Sequence, residues 1–180
     1  MRTLRHVASI TLALVLSGTA LEAQHIPSPE EFFGHPMGAD RQLVRWDRLV
    51  EYYDTLGVLS DRLVVDVVGE STLGNPFLII YASAPENLRN LDGIKDANHV
   101  LTDPRGHTDR LIDAAIEDGK VVFVQAYALH STEVAASQSA AEIMYLFATR
   151  NDDTMMEILD NTVSILVPGM NPDGNVIVTD

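Results

Sequence analysis

Two short motifs hold residues that can do chemistry. In "HSTE", His130 and Glu133 stand three residues apart, where the apolar run "KVVFVQAYAL" gives way to the small-residue run "VAASQSAAEIMY". A nitrogen and an oxygen donor on one strand-to-helix corner can share a divalent ion, and zinc accepts both at about 2.0–2.2 Å. The same residues have a plainer use. Glu133 can open a helix, favoured there by the macrodipole, with Ser131 or Thr132 as the cap. On spacing alone both readings stand. The second motif, "NPDG", runs from Asn171 to Gly174 after the apolar run "TVSILVPGM". Its residue types are those of a tight turn. There Asp173 accepts a hydrogen bond and orients a loop, rather than reacting.

The elements that must position these motifs follow from the pattern. Residues 24–40, rich in Pro and Gly, read as an irregular lead-in pinned to the body by Phe32 and Phe33. Leu43, Trp46, Leu49, Val50, Tyr53 and Leu56 recur at helical spacing, with Asp40 as cap and Gly57 as stop. Trp46, Tyr52 and Tyr53 are expected in the core. Residues 63–68 and 77–83 read as two antiparallel strands around a turn. A short helix over 85–91, a turn over 103–106 and an amphipathic helix over 108–117 come next. His99 and His107 fall in polar, loop-like sequence, and His25 and His35 in the lead-in.

"KVVFVQAYAL" suits a central strand covered on both faces. A long helix, a short helix over "DDTMMEILDN" and a second buried strand follow. The fold class is therefore α/β, a mixed β-sheet with parallel central strands flanked by helices. Sites in open α/β sheets form at the carboxyl ends of strands, so His130 and Asn171 are expected on the same sheet edge.

The chain has 180 residues and 46% hydrophobic content, enough for one domain with a core. Its net charge of −14 argues against nucleic acid or anionic lipid as partner. With no cysteine, disulfides, thiolate ligands and thiol nucleophiles are excluded, and any metal must be held by His, Asp and Glu. Residues 1–23 read as a signal peptide: Arg2 and Arg5, an apolar run from Val7 to Leu16 too short for a membrane span, then small residues ending at Ala20 or Ala23. The expectation is a secreted or periplasmic protein with no stable membrane association after cleavage. Residues 41–180 would form the body.

The signal peptide, the hairpin, "HSTE" at its corner and "LVPGMNPDG" together resemble the zinc carboxypeptidase family. "YASAPENL", "DPRG" and "HSTEVAASQ" are similar to its large secreted bacterial members, and the resemblance covers about residues 28–180. It implies one Zn2+ ion, with His130 and Glu133 as its first two ligands. It also implies a histidine as third ligand, a glutamate as general base and an arginine for the substrate's terminal carboxylate, all further downstream. None is found here: His130 is the last histidine, no arginine follows Arg150, and Glu142 and Glu157 lie in helices. Thr132 stands where many pancreatic-type members carry arginine. The resemblance thus implies the N-terminal part of a catalytic domain, with the general base beyond Asp180 and exposed apolar surface where further strands would pair.

The implied activity is a zinc-dependent metallocarboxypeptidase that hydrolyses peptide or protein substrates with a metal-activated water. The 180-residue chain alone would bind zinc weakly and be inactive. Two alternatives stay open: a deacylase or amidase of the same fold, and a secreted non-catalytic binding module.

Overall fold

A computed structural model describes residues 25–180. The signal peptide expected at 1–23 lies outside the described residues. The lead-in is not wholly irregular: it contains a short helix, α1 (Pro29–Phe33), opened by a capping box in which Ser28 and Glu31 bond each other's backbone amides. Phe32 and Phe33 then stack within 5.0 and 5.2 Å of the Tyr52 ring, which pins the segment as expected.

The main helix, α2, spans Trp46–Leu59. It starts later than Asp40 and runs through Gly57. A side chain on Gly57 would come within 2.9 Å of Val65 Cγ2, so this glycine makes room for the neighbouring strand rather than ending the helix. That strand, β1 (Leu63–Glu70), pairs antiparallel with β2 (Pro76–Ala82), the hairpin the sequence predicts. α3 (Pro85–Arg89) is followed by a helix absent from the sequence reading, α4 (Leu91–Thr102), which places His99 on a helix rather than in a loop. Gly93 and the scattered Asp and Asn residues hide its period. α5 (Asp109–Asp118) is capped by Thr108.

β3 (Val121–Ala126), α6 (Val134–Thr149), α7 (Asp153–Asn161), β4 (Thr162–Val167) and α8 (Pro172–Thr179) complete the described chain. The sheet order is β1-β2-β4-β3, with β3 and β4 parallel and the other pairs antiparallel. The α/β class and mixed sheet agree with expectation. The position of β3 does not. It lies at the sheet edge, no described strand pairs with its outer side, and Phe123 and Val124 remain 52% and 60% exposed. An apolar run that suits a strand covered on both faces records only that the strand's faces are apolar.

The core lies on one face of the sheet. Trp46, Leu49, Tyr52, Tyr53 and Leu56 of α2 are fully buried against Leu78 and Ile80 of β2, Leu166 of β4 and Met144 of α6. Each such side chain contributes about 1.5–3 kcal/mol by burial. The ion pair between Arg48 and Glu51 on the open side of the same helix falls in the class worth under about 1 kcal/mol. Burial therefore decides where α2 sits. Among the described residues no helix is long and apolar enough to cross a membrane.

Trp46 is the centre of this core. Its indole N–H donates to the Pro76 carbonyl at 2.9 Å, and its ring lies flush on Gly169, just past β4. A Cβ at Gly169 would fall 2.4 Å from Trp46 Cζ3. Gly169→Ala is expected to lower stability by about 1–3 kcal/mol, the usual cost of overpacking. Urea unfolding followed by the fluorescence of Trp46, the sole tryptophan, measures it. An unchanged midpoint would contradict the packing described.

Candidate metal centre

The centre is built where β3 and β4 end side by side. Their parallel register finishes with Ala126 opposite Val167. One residue further on, the Tyr127 amide donates to the Val167 carbonyl at 3.0 Å, and the Met170 amide donates to the Tyr127 carbonyl at 2.8 Å. The loops after the two strands are therefore fastened together, and His130 and Asn171 share one sheet edge, as the sequence predicts.

After Tyr127 the chain turns sharply at Ala128, whose φ is 51°, and reaches His130. The backbone then closes a turn in which the Glu133 amide donates to the His130 carbonyl at 3.0 Å. Glu133 occupies the position just before α6, not its first turn, and its side chain does not cap the helix. Neither Ser131 nor Thr132 stands at that cap position. Instead the carboxylate folds back. Oε2 accepts from the His130 backbone amide at 3.0 Å, and Oε1 lies 2.7 Å from His130 Nδ1. Glu133 therefore does stand at the helix start, but neither Ser131 nor Thr132 caps it, and its carboxylate bonds His130 instead of the helix.

The site is open, with the two side chains 74% and 44% exposed. The bond from the His130 ring, then the bond from its amide, hold the Glu133 carboxyl below the usual carboxylate range. Glu133 is therefore an anion at neutral pH, beside an imidazole nitrogen. The 2.7 Å separation is that of a direct hydrogen bond, shorter than the roughly 3.4 Å between two donors held at about 2.0–2.2 Å by a tetrahedral ion. By type, an imidazole nitrogen and a carboxylate oxygen, the pair fits zinc as two ligands once that bond opens. Among the described residues no third His, Cys, Asp or Glu joins them. Glu142, in α6, is raised in pKa by burial and stands apart from the corner.

The "NPDG" motif is not a free turn. It is the start of α8, with Asn171 as cap accepting from the Gly174 amide at 2.8 Å and Pro172 in the first turn. A Cβ on Gly174 would lie 2.4 Å from Ser131 Oγ, so α8 presses directly on the "HSTE" loop. Asp173 plays the orienting part expected of it, with partners the sequence did not reveal. Its Oδ1 accepts from the Ser71 hydroxyl and from Asn75 Nδ2 at 2.8 Å, and its Oδ2 accepts from the Leu73 amide at 3.1 Å. The carboxylate thus grips the tip of the β1–β2 hairpin.

The Ser71 and Asn75 bonds hold the Asp173 carboxyl below its ordinary value of 3.8. A carboxyl depressed in the folded chain stabilises it fully above the ordinary pKa, and that contribution is lost as pH falls through the folded value. Asp173→Asn is therefore expected to destabilise the chain at neutral pH. The difference from the natural sequence should shrink under acid, in urea midpoints taken near pH 7 and near pH 3. A difference that grew on acidification would contradict these bonds.

A family model described as zinc carboxypeptidase matches residues 49–180. No curated protein sequence matches the chain. Among solved structures the fold is similar to carboxypeptidase A from Helicoverpa armigera, at 14% identity and a TM-score of 0.54, over 83% of this chain and 32% of that one. It is also similar to thrombin activatable fibrinolysis inhibitor, at 10% identity and a TM-score of 0.51, over 77% of this chain and 28% of that one. The chain therefore spans about a third of the length of these structures, and likeness at such identity speaks to fold alone. The family match takes in the parallel strand pair and both motifs at its end: the chain belongs to the zinc carboxypeptidase family.

Proposed function

We propose that this chain carries part of the active site of a zinc-dependent metallocarboxypeptidase, which hydrolyses peptide bonds in a peptide or protein substrate. The observation that carries the proposal is the convergence of His130 Nδ1 and Glu133 Oε1, 2.7 Å apart on one exposed corner, within the residues the family model matches. We extend it to an exported protein, secreted or periplasmic, on the reading of residues 1–23 as a signal peptide.

His130 and Glu133 would hold the zinc. When bound, the ion supplies Lewis acidity, polarising a carbonyl and lowering the pKa of water towards about 7. The chain's own residues contribute orientation and charge. The His130 amide fixes Oε2 of Glu133 and leaves Oε1 facing the imidazole nitrogen. The depressed carboxyl of Glu133 brings a full negative charge at neutral pH, which favours a divalent cation over a proton at that position. Gly174 supports the loop from behind, and Asp173 ties the hairpin tip to the same edge. The exposure of the pair leaves the corner accessible to a large substrate.

Calorimetric titration with zinc tests this reading on the 180-residue chain. One equivalent is expected to bind weakly, because two protein ligands hold zinc less securely than the three or four of typical sites. His130→Ala and Glu133→Gln are each expected to weaken binding at least about tenfold. Zinc affinity untouched by both substitutions would overturn the proposal.

A further inference from the structure

Ala128 is one of two non-glycine residues with a left-handed backbone among those described. The other, Arg41, has a φ of 61° and lies in the loop before α2. Residues with a Cβ avoid this region, because the side chain crowds the following carbonyl. Ala128 adopts it between two anchored points. On one side, both peptide groups of Tyr127 are held, by Val167 at the end of β4 and by Met170 in the segment that follows it. On the other, the amide and ring of His130 are held by Glu133, at the foot of α6. Only Ala128 and the exposed Leu129 connect these points. With Tyr127 fixed, returning Ala128 to an extended backbone rotates φ by roughly 170° and carries His130 away from the corner.

We infer that Ala128 is a positioning residue for this corner: its left-handed backbone aims the His130 imidazole at the Glu133 carboxylate. Its bearing on metal rests on the function proposed above. The aiming itself is a property of the chain without metal, and the two can be tested apart.

The test compares Ala128→Gly, Ala128→Asn and Ala128→Val in the 180-residue chain. Glycine and asparagine accept the left-handed region, whereas a β-branched valine opposes it. Two readouts are taken. One is the backbone amide resonance of His130 in zinc-free protein, which reports its bond to Glu133. The other is zinc affinity by calorimetry, with Trp46 fluorescence as the control for folding.

The glycine and asparagine variants should keep the His130 resonance and hold zinc affinity within about threefold, while valine shifts the resonance and weakens zinc at least about tenfold. A valine variant that lost thermal stability but kept both readouts would show a merely structural role and overturn the inference. If valine prevents folding, the other two variants decide, since loss of the His130–Glu133 contact in either overturns it. If the natural chain binds no zinc, the proposed function falls, and the His130 resonances of the variants still decide the positioning role.

Discussion

The site depends on one residue's backbone N–H and C=O, through which the loop after β3 is tied to the end of β4 and the loop that follows it. The amide of Tyr127 reaches Val167 and its carbonyl receives Met170, so the loop that follows β3 cannot move without the loop that follows β4. Each bond is worth only about 0.5–1.5 kcal/mol net, but leaving either partner unmet in a protected position costs about 1–3 kcal/mol. The parallel ladder from Val121 to Ala126 sets the register that makes both bonds possible. "HSTE" and "NPDG" are forty-one residues apart in sequence, from His130 to Asn171, and this clamp makes them neighbours.

Behind the clamp stands a core organised by Trp46. Its ring rests on Gly169 in the β4–α8 loop while its N–H holds Pro76 at the start of β2, so α2, the hairpin and the site loops meet on one buried indole. Asp173 closes the same circuit from the outside, joining α8 to the hairpin tip. The exposed pairs of Arg45 with Asp47 and Asp180 add little by comparison, since solvent screens them. Rigidity at the corner thus comes from apolar packing and backbone bonds, and the donor atoms of His130 and Glu133 are left available at the surface.

What could be read from the sequence was local. "HSTE" was legible because its two donors lie within one turn of chain, and their convergence needs only a strand, a bend and a helix. The hairpin was legible from β-branched runs around Gly74 and Asn75. "NPDG" was half legible: an Asn side chain that accepts from an amide three residues on, followed by Pro, describes a tight turn and a helix start equally well, and α8 took the second course. The start of α2 was misplaced because nothing local distinguishes a helical period from its irregular approach through Ala39 to Val44. The grip of Asp173 on Ser71 and Asn75 spans about a hundred residues and leaves no mark in either segment. The pattern left the edge position of β3 open, because apolar character does not say what covers it, and only the family resemblance implied exposed apolar surface. The left-handed backbone of Ala128 carried no signal, since the usual marker of that conformation is glycine.

The proposed function turns on one divalent ion shared by a ring nitrogen of His130 and a carboxylate oxygen of Glu133. Anomalous diffraction at the zinc absorption edge, on crystals of the chain soaked with zinc, addresses it directly. A peak is expected within bonding distance of His130 Nδ1 and Glu133 Oε1, with their mutual hydrogen bond opened. A chain whose zinc peaks all lie elsewhere, with the His130–Glu133 hydrogen bond intact, would contradict it.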